Sequence, residues 1–251
     1  MTQEISRMDH PLVKHFVKLR TKREYRLQKH SIVVSGIKVL KEYCKDQSFQ
    51  YLIVKENASV DEDLVFDEKL VVHERLMKKI TGLEEPEDFA AVLELPKEQS
   101  MKNCSSVLVL DQINDPGNLG TLLRTALAFS WEGVFLSPNC VDLFNEKVLR
   151  AARGAHFKLA FQMGSWQDLE QLIKQANFLP LLADVEGTSP KAFSSQKKTM
   201  LIVSNEAKGP SSQARALAKK KISLEMSSDC ESLNVAIAGG ILMYLLGEKD
   251  V

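Results

Sequence analysis

Apolar side chains along this chain fall into two rhythms that change over near Leu95. The first opens at Pro11 to Arg20, where Leu12, Val13, Phe16 and Leu19 recur at helical spacing on one face while basic side chains occupy the rest. Ile32 to Gly36 reads as a short buried strand, a helix through Val39 and Leu40 follows, and Tyr51 to Val54, Leu70 to Val72 and Ala90 to Leu93 are further strands. These elements predict a small mixed α/β domain over residues 1–98. The polar, proline-bearing stretch from Leu95 to Ser100 closes it, and residues 99–105 read as a linker.

From residue 106 to 251 the rhythm is regular. Strands are predicted at Val107 to Leu110, Gly133 to Leu136, Phe157 to Phe161, Phe178 to Ala183 and Met200 to Ser204. Between them lie helices over Leu119 to Phe129, after Asn145 and over Trp166 to Gln175, and an almost wholly apolar helix runs from about Val235 to Leu246. Strands that are apolar on both faces and alternate with helices predict an α/β fold with a parallel sheet covered on two sides.

Composition adjusts this picture only slightly. With 251 residues, 44% of them apolar, the chain can bury one large core or two modest ones. Basic and acidic residues balance at 33 each, but Arg7 to Lys41 is strongly basic and Glu56 to Glu98 leans acidic. Four scattered cysteines without metal-ligand spacing, together with five histidines, argue against a metal site and for reduced thiols. No stretch approaches the roughly 20 apolar residues of a membrane span, and the amino terminus lacks an apolar leader, so a cytoplasmic location is expected.

Three loops carry candidate chemistry. The first, Asp111 to Arg124, follows a strand, which is where ligands collect in open α/β sheets. Pro116-Gly117 sets a turn, Asn118 is expected to cap the following helix, and Arg124 lies nearly two turns further on. Neither a P-loop nor a dinucleotide-binding glycine pattern is present. The second loop, Ser204 to Pro210, places Glu206 after an apolar strand, where a carboxylate needs a partner or solvent. Its Gly209 permits positive φ or a close backbone approach, and Ser211 to Gln213 fits a helix start. The third runs from Ile222 to Gly240, with Asn234 polar inside an apolar helical pattern and Gly239-Gly240 expected only where packing is close.

In order and spacing these regions resemble the motifs of the SpoU branch of the SPOUT methyltransferases, the tRNA/rRNA ribose 2'-O-methyltransferase family. The first motif is Asn114-Asp115-Pro116-Gly117-Asn118-Leu119-Gly120 continuing to Arg124-Thr125-Ala126, and the second is Ser204-Asn205-Glu206-Ala207-Lys208-Gly209. The third is Glu225-Met226 continuing to Glu231-Ser232-Leu233-Asn234-Val235-Ala236. Asn145 to Ala155 is similar to the family's intervening segment, and the amino-terminal domain is similar to the RNA substrate-binding domain that many members carry. The chain departs from the pattern at Ser204, where glycine is usual, at Glu225, where proline is usual, at Ser35, and at Pro86-Glu87-Asp88.

The resemblance implies a SPOUT domain whose carboxyl-terminal segment forms a deep trefoil knot. It implies an S-adenosylmethionine-dependent enzyme, a homodimer, that methylates a ribose hydroxyl of structured RNA, with ribosomal RNA ahead of transfer RNA. Carried over by motif, Arg124, Asn118, Glu206, Ser232 and Asn234 are the catalytic group, and Val203, Ser204, Gly209, Met226 and Leu233 hold the methyl donor. Lys14, Lys18, Lys22, Arg23 and Arg26 are the expected RNA contacts, and Gly239 and Gly240 are expected to pack closely across the dimer interface. The altered Ser204 and Glu225 leave open a non-catalytic RNA-binding protein on the same scaffold.

Overall fold

The computed structural model describes residues 2–43, 48–60, 64–193, 198–227, 229 and 232–247. Cys44, Cys230 and Glu231 lie outside these residues. The chain divides into two compact units, Met1–Pro96 with Phe144–Gly154, and Lys97–Leu143 with Ala155–Val251.

In the first unit the described elements run β1 (Thr2–Ile5), α1 (Pro11–Thr21), α2 (Arg23–Lys29), β2 (Ser31–Ser35), α3 (Ile37–Tyr43), β3 (Phe49–Lys55), β4 (Phe66–Val72), α4 (Glu74–Thr81) and β5 (Phe89–Glu94). The strands form a mixed sheet in the order β1-β4-β3-β5-β2. In it β4 runs parallel to both β1 and β3, and β5 runs antiparallel to β3 and β2. The apolar face predicted for α1 is buried through Val13, Phe16 and Leu19, which join Ile53, Leu70, Leu76 and Ile80 in one core. Strand β1, α2 and α4 are additions to the sequence reading: each is short, and only one to three of its side chains are apolar, too few to establish a period.

Arg26 requires a correction. Only 4% exposed, it sends its guanidinium inward, where Nη1 donates to the carbonyls of Leu19 at 2.8 Å and Arg20 at 3.0 Å. It thus satisfies carbonyls at the end of α1 that have no intrahelical partner, and it is withdrawn from any phosphate. Lys14, Lys18, Lys22 and Arg23 remain exposed.

The second unit contains β6 (Ser106–Asp111), α5 (Pro116–Ala128) and β7 (Gly133–Leu136). Next in the chain, α6 (Glu146–Ala152) groups with the first unit, where Glu146 pairs with Arg20, although the sequence rhythm assigns it to the second domain. The second unit resumes with β8 (Ala160–Met163), α7 (Trp166–Ala176), β9 (Leu179–Thr188), β10 (Thr199–Ser204), α8 (Ser212–Leu217), β11 (Lys220–Ile222) and α9 (Val235–Gly247). The strand expected at Phe157 to Phe161 begins only at Ala160, because Ala155–Phe157 form a 3-10 turn that buries Ala155 and His156.

The sheet order is β11-β9-β10-β6-β7-β8, and each neighbouring pair is parallel. The carboxyl ends of β6, β10 and β11 therefore share one edge, and each feeds one of the three loops singled out above. Gly239 and Gly240 pack within this chain: a Cβ at Gly239 would lie 2.6 Å from Leu122 Cδ2, and one at Gly240 would lie 3.3 Å from Thr125 Cγ2. Within the chain, both make their close approach to α5. Among the described residues no helix is long and apolar enough to cross a membrane, and no group of three or more His, Cys, Asp and Glu is placed to hold a metal.

Burial pushes the His156 imidazole down to about 4, its Nε2 lying 2.9 Å from the Leu143 carbonyl. A histidine kept neutral in the folded state contributes full stability above its unfolded pKa and loses it as pH falls between about 6.5 and 4. Urea titrations at pH 7 and pH 4.5 are expected to differ by on the order of 3 kcal/mol from this group, and His156→Gln is expected to shrink that difference.

Candidate active site

Loop one is shaped by Asp115, which caps α5 with Pro116 in its first turn; Asp115 Oδ1 accepts the Asn118 backbone N–H at 2.7 Å. Asn118 is therefore inside the helix rather than its cap, because the aspartate before a proline takes the capping position. Its carboxamide is released for another task. Asn118 Nδ2 donates to Glu206 Oε1 at 3.3 Å, and Asn118 Oδ1 accepts from Asn234 Nδ2 at 2.9 Å.

Loop two leaves β10 at Ser204, the register partner of Asp111. Asn205 folds it back: its Nδ2 donates to the Gln112 carbonyl at 3.2 Å while its Oδ1 accepts the backbone N–H groups of Ala207 and Lys208. This presents Glu206, whose Oε1 also accepts the Val235 backbone N–H at 2.6 Å. The turn closes at Gly209 with φ +65°, a left-handed conformation suited to glycine. Ser211 then caps α8, and the buried Asp111 carboxylate accepts the Ser211 N–H at 2.7 Å.

Loop three ends at Asn234. Instead of lying within the helix, this residue precedes α9 and caps it, Oδ1 accepting the N–H groups of Ala236 at 3.0 Å and Ile237 at 3.4 Å. Three stretches far apart in the chain thus meet through Asn118, Glu206 and Asn234.

Beside this junction lies a cleft of about 320 Å³. All five residues carried over as donor contacts, Val203, Ser204, Gly209, Met226 and Leu233, line it, together with Glu206 and Ser232. Its walls are mostly apolar, with Leu224 and Leu242 contributing further. Ser204 Oγ is buried without a hydrogen-bond partner among the described residues, so this cleft wall holds an unsatisfied polar atom. Arg124 stands apart: it is exposed on α5 and is not among the residues lining the cleft. Six positions beyond Asn118, it is about 9 Å further along the helix axis.

Sequence reasoning missed Asp184 and Arg215, which also line the cleft. Asp184 Oδ2 meets Arg215 Nη1 at 2.7 Å and Lys221 Nζ at 3.3 Å. Burial pushes the Asp184 carboxyl up, but the Glu186 N–H, Lys221 and Arg215 outweigh it and leave the group below the usual carboxylate range. The available signal was the one that marked Glu206: a carboxylate directly after an apolar strand run, here Phe178 to Ala183.

The profile of the SpoU rRNA Methylase family matches residues 105–244, and that of the MRM3-like substrate binding domain matches residues 10–91. The 23S rRNA (guanosine(2553)-2'-O)-methyltransferase RlmP of Bacillus subtilis is 30% identical over 237 residues, 93% of this chain and 95% of that protein. Among solved structures, the AdoMet-bound rRNA methyltransferase from Sinorhizobium meliloti superposes with a TM-score of 0.87 at 22% identity, covering 98% of this chain and 97% of the other. The SpoU methyltransferase AviRb from Streptomyces viridochromogenes, in complex with AdoMet, gives 0.84 at 19% identity over 95% and 97%. At such identities the two structures speak to the fold.

Glu206→Ala removes the acceptor shared by Asn118 and Val235 and should loosen the start of α9 without unfolding the sheet. Hydrogen exchange measured by mass spectrometry is expected to quicken at Val235 to Ala238 at least severalfold while β6 and β10 keep their protection; unchanged exchange there would show that the carboxylate does not hold the loops.

Proposed function

Because the chain belongs to the SpoU rRNA methylase family, we propose that it transfers a methyl group from S-adenosylmethionine to a ribose 2'-hydroxyl of ribosomal RNA. The observation that carries this reading is the side-chain junction of Asn118, Glu206 and Asn234 beside an apolar cleft at the carboxyl edge of the parallel sheet. The full-length likeness to a ribosomal RNA ribose methyltransferase supports the substrate.

The residues present fit the donor. The cleft lies at the lower end of the size range of small-molecule sites, is mostly apolar, and holds an unpartnered hydroxyl at Ser204. Val203, Met226 and Leu233 would flank the donor's flat and apolar parts, Gly209 would allow close backbone approach, and Ser204 would give or accept a hydrogen bond. S-adenosylmethionine, when bound, supplies a methyl group already activated on a sulfonium.

The remaining task is to orient the ribose hydroxyl and to accommodate its proton as it leaves. Asn118, Glu206 and Asn234 fix one another and so fix the loops that carry them, while Ser232 lines the cleft as a further polar contact. The exposed Arg124 is the group assigned to the RNA: a guanidinium clamps a phosphate through paired N–H groups and stabilises charge developing on a nearby oxygen. Lys14, Lys18, Lys22 and Arg23 supply phosphate contacts on the first unit, in line with the substrate-binding profile matched there.

The same reading has the carboxyl-terminal segment drawn through a loop as a deep trefoil knot, which the crossed strand order and the packing of α9 on α5 support. It also includes a homodimer. Ile237, 55% exposed, and Tyr244, 52% exposed, form with Ile241 an apolar stripe on α9, and Phe129 contacts the Tyr244 ring. Such a stripe calls for a cover.

Incubating the chain with ribosomal RNA and labelled S-adenosylmethionine, then digesting to nucleosides for mass spectrometry, tests the activity; a methyl on the ribose is expected, and a methyl on a base or none at all would overturn it. Arg124→Ala is expected to leave donor binding by calorimetry within about twofold of wild type and to lower methyl transfer by at least 10²-fold, the scale of losing one transition-state contact. For the dimer, Ile241→Asp should convert a two-chain species to a single chain in analytical ultracentrifugation.

A further inference from the structure

At the corner of α1 and α2, four side chains converge in a way that core packing does not explain. The half-buried Tyr25 packs one side against the core, and its hydroxyl lies 2.9 Å from His15 Nδ1, the two rings meeting edge to face at 5.6 Å. Lys18 Nζ, from α1, stands over the Tyr25 ring at 5.6 Å from its centroid, and Lys29 Nζ, from the last turn of α2, at 5.9 Å. Both lysines are exposed, and neither is held by a carboxylate among the described residues. Two like charges therefore share one aromatic ring with no counterion of their own.

We propose that Tyr25, with His15, Lys18 and Lys29, forms a seat for one unpaired nucleotide of the RNA substrate, the base stacking on the tyrosine ring and its phosphate taken by the lysines. The inference rests on the RNA methyl-transfer reading above and adds a residue-level contact to it. Single-stranded nucleic acid is held where aromatic faces and basic side chains alternate, because every base has a π-face and every nucleotide a phosphate. A paired base cannot reach such a ring, since it stays in its own stack.

The corner is also rigid. Lys22 ends α1 and begins α2, and the buried Arg26 bonds the last carbonyls of α1, so the spacing between Lys18 and Lys29 is set by the backbone. Burial, with Lys29 and Lys18 close by, lowers the His15 imidazole below the ordinary histidine range, so that near neutral pH it stands as an uncharged ring partner to Tyr25. An ammonium that slides from the ring to an arriving phosphate exchanges a weak cation–π contact for a charge-assisted bond. That exchange frees the ring for the base.

The test uses the full-length chain and fluorescence anisotropy with two labelled RNAs, a hairpin with an unpaired loop and a fully paired duplex, over a salt series. Tyr25→Leu, which keeps bulk but removes the π-face, is expected to weaken hairpin binding about tenfold at every salt concentration, near the low end for one base–aromatic stack. Duplex binding should not change, and Tyr25→Phe should bind the hairpin as wild type does. Lys18→Ala and Lys29→Ala should each flatten the slope of log affinity against log salt by roughly 0.7. An unchanged circular dichroism spectrum and unchanged hydrogen exchange over α1, α2 and β3 in the Tyr25 variants are the check that the first unit is folded. Hairpin affinity unchanged in Tyr25→Leu, or hairpin and duplex weakened alike, would overturn the seat while leaving methyl transfer standing; a wild-type chain that binds neither RNA would overturn both.

Discussion

One carboxylate oxygen organises the second unit. Glu206 Oε1 accepts from the side chain of Asn118 and from the backbone of Val235, and so joins the loops after β6, β10 and β11. The parallel sheet delivers three chain segments to one edge, but strand register alone would leave their tips independent. At the base, the pairing of Ser204 with Asp111 and the Asn205 contact to Gln112 zip the first two loops together. At the tip, Glu206 and the Asn118–Asn234 bond bring in the third. The two side-chain bonds of Asn118 are exposed and the others part-buried, and each is worth on the order of 1 kcal/mol. Their value is geometric rather than energetic.

The two units divide the chemical work. The second combines a mostly apolar cleft, which Asp184, Glu206 and Arg215 help to line, with a polar junction, a pairing suited to a ligand that is part flat ring and part charge. The first concentrates exposed lysines on two short helices whose corner is fixed by a buried arginine. That distribution explains how a chain with balanced charges can carry a polyanion-binding face: 33 basic and 33 acidic residues say nothing of where they lie. Arg26 illustrates the point, since its place in a basic run suggested a phosphate contact and its burial made it a structural bolt.

Long apolar periods were readable from the residues themselves. The strand at Val107 to Leu110, the helix from Trp166 and the apolar α9 all appear within a residue or two of their expected bounds, because pattern and burial agree there. Short elements such as β1 and β11 were not, since a strand of three or four residues at a sheet edge is defined by its neighbour rather than by its own period. In the site, the motif carried the choice of Asn118, Glu206 and Asn234, but not how they act. The sequence makes Asn118 a cap, and it is a bridge; the sequence makes Asn234 a polar break in an apolar pattern, and it is the cap. Pro116 occupies the first helical position, so the residue before it, Asp115, takes the cap ahead of Asn118. The pairing of Asp184 with Arg215 needed coordinates, since strand β9 and helix α8 bring together residues 31 positions apart.

The strand order has a consequence for how the polypeptide is made. Synthesis releases β6, β7 and β8 in an order that lets each pair with the one before, so half the sheet can assemble as it emerges. The other flank of β6 cannot be closed by the strand that comes next, because β9 belongs one place further out. It must wait for β10, whose Thr199 pairs with Ser106. During that interval a fully apolar strand presents an open edge to the surroundings, the state in which nascent chains most readily pair with the wrong neighbour. Late, non-local closure of this kind makes slow refolding and dependence on chaperones natural companions of the topology.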